Sequence, residues 1–396
     1  MKRFGLMAML GLLLVLAACG NNSSSDSVKG QDFAQLEKDA KGQTVNFYMW
    51  GGDKNINAYI DDFVAPKLKK EQDITLKRVP MDTEKFIQKL SSEKQAGKKN
   101  GSVDVVWING QNFKTAKDGG LLYGEITDQI PNVAKFVDPL LTEKDAGNAI
   151  DKMEAPWGKT SFVFQYNADK VSKPPLNLAE LTAWVKANPG RFTYPDVADF
   201  TGDAFVRQVI YAQNPGKEFT EAPTKADREK AYAYLESIGP YLWRDGKTYP
   251  KTLQELDQLY AQGQIDFTMG FNERRALPFI EDGTFPAATR TFSLDNGALT
   301  NAHYLSVAFN TQQPAASLVV INYLLSEEAQ AEKLKTSVWG DGTTLLTSKM
   351  TKEWQAKFDA AGETGNQFYN DWQALNEFPD TTAEAIQKEW SNYVYP

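Results

Sequence analysis

A chain of 396 residues, 42% hydrophobic and 24% charged, has a folded-protein composition and length enough for two or three domains. Its formal net charge of −8 argues against a nucleic-acid backbone as partner. With one cysteine and one histidine, the chain excludes an internal disulfide and a Cys/His zinc site.

Lys2 and Arg3 precede an apolar stretch at 6–16, too short to span a bilayer comfortably, and Leu16-Ala17-Ala18-Cys19 follows. This is the layout of a secretory signal. Its end resembles the lipobox of bacterial lipoproteins, which implies cleavage before Cys19 and acylation of that residue. Residues 1–18 are therefore expected to be a signal peptide. Residues 19–32 are small, polar and aperiodic, and read as a flexible tether with a mean reach of about 20 Å. A body held outside the cytoplasm has no access to ATP or nicotinamide pools, which removes many enzyme classes.

Residues 44–50 alternate Val45, Phe47 and Met49 against Asn46, Tyr48 and Trp50, the period of a strand. Gly51-Gly52 turns the chain, and Asp53 is placed to cap a helix with Ile56, Ile60, Phe63, Val64 and Leu68 inward, kinked at Pro66. A second strand follows at 74–79 and a second helix at 82–95, with Phe86 and Leu90 inward. Residues 103–108 form an almost unbroken apolar run, too short for a useful helix. It suits a strand buried on both faces, as in a parallel sheet covered by helices. The run ends abruptly in Asn109-Gly110-Gln111-Asn112. Ligands of open α/β sheets sit past the carboxyl ends of the strands, so these residues read as a cleft wall, against the alternative of a plain turn. Strand-helix-strand-helix-strand is a doubly wound half, with Trp50 to Asp53 on the same sheet edge.

Residues 157–167 contain a strand that leads into Lys173-Pro174-Pro175. Gly158-Lys159-Thr160 is not a phosphate loop, because Met153 stands where that motif needs glycine. Helices are expected at 178–187, 226–238 and 253–262, with a short strand at 191–194. Asp199-Phe200-Thr201-Gly202-Asp203 leads into a helix with Phe205, Val206, Val209 and Ile210 inward. A strand at 265–269 ends at Gly270-Phe271-Asn272-Glu273, again apolar strand then glycine with polar and aromatic residues. Residues 289–310 are strand-like, broken at Asp295-Asn296-Gly297, and 315–335 reads as one long helix. Trp339-Gly340-Asp341-Gly342-Thr343 is a loop, and the remainder is helical and rich in Trp and Tyr.

This order of pieces resembles the extracellular solute-binding proteins of ABC importers. The resemblance rests on the lipobox, the strand with Trp50, the strand ending at Asn109, and Pro156-Trp157-Gly158 followed by Tyr166-Asn167. Gly263 with Ile265-Asp266-Phe267, and Asn301 to Asn310 leading into Ala315-Ala316 and Ser326-Glu327-Glu328-Ala329-Gln330, extend it over residues 40–396. Trp50-Gly51-Gly52, residues 103–113 and Trp157 to Thr160 resemble, more narrowly, the YnjB-like group, sometimes called thiamine-like. The resemblance implies an α/β, two-lobe periplasmic-binding-protein-like fold, each lobe a mainly parallel sheet flanked by helices, with hinge strands at 161–166 and 291–300. Lobe 1 would take 33–160 and about 291–330, and lobe 2 would take 161–290 and about 331–396. It also implies a monomer that is not an enzyme and has no cofactor or metal. Such a protein closes on a small solute and delivers it to an ABC permease with its cytoplasmic ATPase, held at the membrane through Cys19. Ferric-binding relatives use adjacent tyrosines; this chain has no such pair, which counts against iron.

The candidate ligand-binding residues are Trp50, Gly51, Asp53, Asn109, Gln111 and Asn112 from lobe 1, and Thr201, Asp203, Phe271, Asn272 and Glu273 from lobe 2. Trp157 and Trp339 are placed at the rim. Amides and carboxylates orient a polar ligand and aromatic faces supply area. Carboxylates at Asp53, Asp203 and Glu273 favour a cationic or hydroxyl-rich solute over an anion. Each has a structural alternative: Asp53 and Asp203 as helix caps, Glu273 as a first-turn acid, both tryptophans as core. His303 reads as a satisfied strand residue. The rivals are a surface-anchored hydrolase with a glycosidase-like carboxylate dyad, and a solute sensor subunit. Among 51 acids some pair always qualifies, and no G-x-S-x-G elbow is present.

Overall fold

The computed structural model describes residues 28–394 apart from 218, 220, 363–367 and 380, so Cys19 and the signal segment lie outside the described residues. The tether expected up to residue 32 is already docked by Val28. This side chain is buried in the first core, and its carbonyl accepts from Gln129 Nε2 at 2.5 Å.

The strands are β1 (Thr44–Met49), β2 (Thr75–Pro80), β3 (Val105–Ile108), β4 (Lys144–Asp145), β5 (Asn148–Ala149), β6 (Glu154–Asn167), β7 (Phe267–Phe271), β8 (Thr289–Phe292), β9 (Ala298–Val307) and β10 (Ala374–Leu375). β1 lies parallel to β2 and β3, the buried, helix-covered arrangement that the apolar runs require. β3 is antiparallel to β9, and β9 to the first half of β6. At Ser161, β6 leaves β9, and from Phe162 onward it pairs with β7 and β8. One 14-residue strand therefore belongs to both halves of the molecule. The described pairs that β6 makes with β7 and β8 are antiparallel, where a mainly parallel sheet was expected. Both partners return alongside β6 in the opposite sense.

Two large apolar cores define the lobes. The first gathers Phe47, Ile60, Val105, Trp157, Leu305 and Leu318. The second gathers Phe164, Phe205, Ile210, Leu235, Phe267 and Trp390. Ala331, Leu334, Trp339, Leu345 and Phe358 pack in the first core, while Phe292, Leu294 and Leu299 pack in the second. The lobe boundaries thus differ from those at 291 and 331 read from sequence. At 291 the reason is that β8 pairs with the second half of β6, and at 331 that the helix expected at 315–335 is two helices, Pro314–Leu324 and Glu327–Leu334. Ser326 caps the second by accepting from Ala329 N–H, and the turn keeps the chain on the first lobe. Residues 191–194 have no strand partner among the described residues. Phe192 and Tyr194 are buried there in the second core, so packing explains the apolar pattern without a sheet.

Candidate functional site

β3 carries its apolar side chains to Ile108, and Asn109 continues extended at φ −164°. Gly110 then takes φ +54°, a left-handed value that glycine adopts without cost, and helix Gly110–Asp118 starts at once. The polar segment read as a cleft wall is thus a helix N-terminus. Across a gap stands helix Phe200–Gln213, whose Phe200, Asp203 and Arg207 share one face at spacings of three and four. Asn301 of β9, where β6 changes partners, lines the gap together with Glu377 and Phe378 of the C-terminal segment. These pieces enclose a cleft of about 370 Å³, the size of a small solute.

Its charge is one-sided. Among the described residues, Glu84, Asp145, Asp199, Asp203 and Glu377 line it against one cation, Arg207. Arg207 is 6% exposed; its Nε lies 2.7 Å from Asp203 Oδ2, and its Nη1 donates to Glu377 Oε2. Burial works against the Arg207 charge, but Glu377 and Asp203 outweigh it and raise its pKa. Burial also pushes the Asp203 carboxyl up despite Arg207 beside it. Asp203 Oδ1 is buried without a hydrogen-bond partner, which is costly unless a donor arrives. Phe200 is 56% exposed, with the Arg207 guanidinium 5.7 Å from its ring centroid and Phe271 5.1 Å away.

Of the residues singled out in the sequence, Asn109, Gln111, Asn112 and Asp203 line this cleft. Phe271 backs Phe200, and Thr201 is buried, its N–H donating to Asp199. The remainder lie elsewhere. Asp53 caps helix Lys54–Ala58 by accepting from Asn55 and Ile56 N–H, and the carbonyl of Gly51 accepts from Asn57. Trp50 is 41% exposed beside them. Trp157 is the unpaired residue of a bulge between Pro156 and Gly158, which turns it into the first core. There it meets Trp107 at 5.3 Å, Trp339 at 5.1 Å and His303 at 5.7 Å. Asn272, at φ +76°, donates to the carbonyl of Trp339, and Glu273 accepts from Ser161 N–H. Burial raises the Glu273 pKa, with Arg274 opposing. His303 Nε2 lies 3.0 Å from Asp341 Oδ2, which also receives the fully buried Lys333.

Sequence reasoning missed Asp145, Asp199, Phe200, Arg207, Asn301 and Glu377. The Phe200, Asp203, Arg207 spacing was the available signal; Asp145 and Glu377 arrive from distant segments with none.

Comparison with known proteins gives a consistent picture. A family model described as bacterial extracellular solute-binding protein matches residues 59–362. Protein YnjB of Escherichia coli (strain K12) is 36% identical over 327 residues, 81% of this chain and 84% of that protein. Among solved structures, the spermidine/putrescine ABC transporter substrate-binding protein PotD of Streptococcus pneumoniae superposes with TM-score 0.63 at 16% identity. That match covers 89% of this chain and 99% of PotD. The periplasmic binding protein AfuA of Actinobacillus pleuropneumoniae, with fructose-6-phosphate bound, gives 0.61 at 12% identity, covering 89% and 99%. A fold of two lobes about a shared strand, a cleft between them, and a family model spanning most of the chain lead to one conclusion: the chain belongs to the bacterial extracellular solute-binding proteins.

Proposed function

We propose that this chain is the lipid-anchored, extracytoplasmic receptor of an ABC importer. As a monomer it captures a small polar, cationic solute in the cleft by closing its lobes, and passes that solute unchanged to a permease. The observation that carries the reading is Asp203 Oδ1, buried at the cleft without a protein donor. A cationic or hydroxyl-bearing ligand supplies the missing hydrogen bond, and the exposed Phe200 ring gives it an apolar face. PotD is named for spermidine and putrescine and AfuA holds fructose-6-phosphate, and at 12–16% identity neither ligand transfers. The acidic lining favours the cation. As a glycosidase-like dyad, Asp203 and Glu377 are poorly placed, since both face the Arg207 guanidinium rather than opposite sides of an open space. Closure follows if the ligand touches both walls only in the closed form, because differential affinity alone shifts such an equilibrium.

Native mass spectrometry of freshly purified protein should reveal a co-purified small cation, and X-ray scattering should show contraction when it is added back. Superimposable scattering curves with and without every small polar solute tried would remove the reading. Cys19→Ala should release the protein from membranes; retention would remove the lipid anchor while leaving the cleft untouched.

A further inference from the structure

A helix N-terminus is a ready anion seat, because its first N–H groups are unpaired and carry partial positive charge. Two helices bring their N-terminal residues to this cleft, Gly110–Asp118 from one wall and Phe200–Gln213 from the other. In both, a carboxylate of the chain itself is already in place. Asp199 caps its own helix, accepting from Thr201 N–H at 2.8 Å, and its other oxygen accepts from Leu253 N–H at 3.3 Å.

Asp145 does the same for the opposite wall, but from 35 residues further along the chain. Its Oδ2 accepts from Gly110 N–H, while Asn109 at the cap position offers no side-chain bond. The placement is built. β4 and β5 form a hairpin whose two turn residues, Ala146 and Gly147, have φ of 43° and 82°, and Asn148 Nδ2 donates to the Asp145 carbonyl at 3.3 Å. Asp145 is buried to 4% exposure yet lines the cleft. Behind it, Glu154 has no exposed surface and no donor to either carboxyl oxygen. Burial and then the neighbouring Asp145 push the Glu154 carboxyl well up, which disfavours a second charge beside Asp145. Independently, Asp203 Oδ1 calls for a ligand that donates.

We propose that Asp145 is a specificity-determining residue of the cleft. By occupying the N-terminal end of helix Gly110–Asp118 it denies that seat to anionic ligand groups, and its charge favours cationic and neutral solutes. This rests on the cleft being the solute site. With Asp199 filling the facing helix end, a phosphate or carboxylate group entering the cleft meets carboxylates on both walls where unoccupied helix ends would offer free N–H groups.

The test is calorimetric titration of the wild type, D145N and D145A with putrescine, thiamine, glucose, inorganic phosphate, fructose 6-phosphate and any co-purified solute. The wild type should give no heat with the two anions. D145N keeps an oxygen for Gly110 N–H but loses the charge, so binding of a cation should weaken about tenfold. D145A should bind inorganic phosphate at least about tenfold more tightly than the wild type. Should D145A show no cooperative melting, D145N alone decides. Preferential binding of an anion by the wild type overturns the inference, and so does D145N with an unchanged charge preference. A wild type that closes on a solute while D145N keeps its preference removes this inference alone. A wild type that binds no member and carries no co-purified solute removes the solute site and this inference with it.

Discussion

Replacing Glu154 by Gln should stabilise the protein increasingly as pH rises. Glu154 lies on β6 opposite Ser306 of β9, with no surface in contact with water and no donor to either oxygen. Burial first, and then the like charge of Asp145, push its carboxyl well above the ordinary 4.5, with Lys117 opposing. The folded chain therefore keeps a proton that the unfolded chain releases. Below the ordinary value both states are protonated and nothing is lost. Above it, stability falls by about 1.4 kcal/mol for each pH unit until the raised folded-state value is reached. Glu154→Gln has the same shape and no titrating proton, so it escapes this penalty. Two pH units within that window should open a gap of about 3 kcal/mol between variant and wild type. Urea denaturation of both proteins at a series of pH values measures the gap directly, provided the slopes with denaturant match. Parallel stability profiles across the series would show that Glu154 ionises or is hydrated in the folded state, and the reasoning would fail.

Arg207→Met should cost about 3–5 kcal/mol in denaturant unfolding, because it strands Asp203 and Glu377 together in a buried place. A loss below about 1 kcal/mol would mean the carboxylates reach water without it. Phe200→Ala removes a ring that is 56% exposed, so stability should stay within about 1 kcal/mol while solute affinity, read by calorimetry, falls about tenfold. Unchanged affinity would place the ligand elsewhere. Glu93 is raised by its burial, but bonds from Lys89, Lys98 and Asn310 outweigh this and hold its carboxyl at about 2. A depressed value stabilises above the unfolded 4.5, and that stability is lost as pH falls towards about 2. Glu93→Gln should therefore flatten the acid limb of the stability profile and cost about 1–2 kcal/mol near neutrality.

The first lobe was legible because its elements obey local rules. The alternation of Val45, Phe47 and Met49, the run ending at Ile108 and the cap at Asp53 each state their structure within a few residues. Asn109, Gln111 and Asn112 stand at the cleft for the same reason: a buried strand has to end somewhere, and its polar end lines the gap past the carboxyl edge of the sheet. Helix Phe200–Gln213 was read with its core residues and Asp203, but Arg207 was not picked out, because every residue from Thr201 to Tyr211 is buried. Periodicity alone could not separate the cleft face, with Asp203 and Arg207, from the core face. Asp145 and Glu377 were invisible in principle, since their placement depends on a hairpin and a C-terminal segment brought in by tertiary packing. Trp157 misled because one bulge residue reverses which side of a strand a ring occupies.

Four residues that looked like ligand contacts and lie outside the cleft, Trp157, Asn272, Glu273 and Trp339, gather where β6 crosses between the lobes. Gly158 has no side chain to obstruct it: a Cβ there would stand 2.1 Å from both His303 Nε2 and Asp341 Oδ2. Asp341 holds His303 and Lys333, and Lys333 Nζ donates to the Gly342 carbonyl at 2.9 Å, while Lys159 N–H reaches that carbonyl at 3.2 Å. Burial pulls the Lys333 pKa down, so the pair is expensive to bury, and its retention is better explained by position than by stability. It fixes the Trp339 to Gly342 loop against β6 and β9 at the place where β6 changes lobes. From the second lobe, Asn272 donates to the Trp339 carbonyl and Glu273 accepts from Ser161 N–H, so both lobes hold the same two short stretches of chain, 159–161 and 339–342. Aromatic rings and acids cluster at the cleft and at the crossing between lobes for one shared reason, since both hold directional contacts in a dry place. Composition therefore marks such sites without telling them apart; only the bulge at Trp157 and the reach of Asn272 do that.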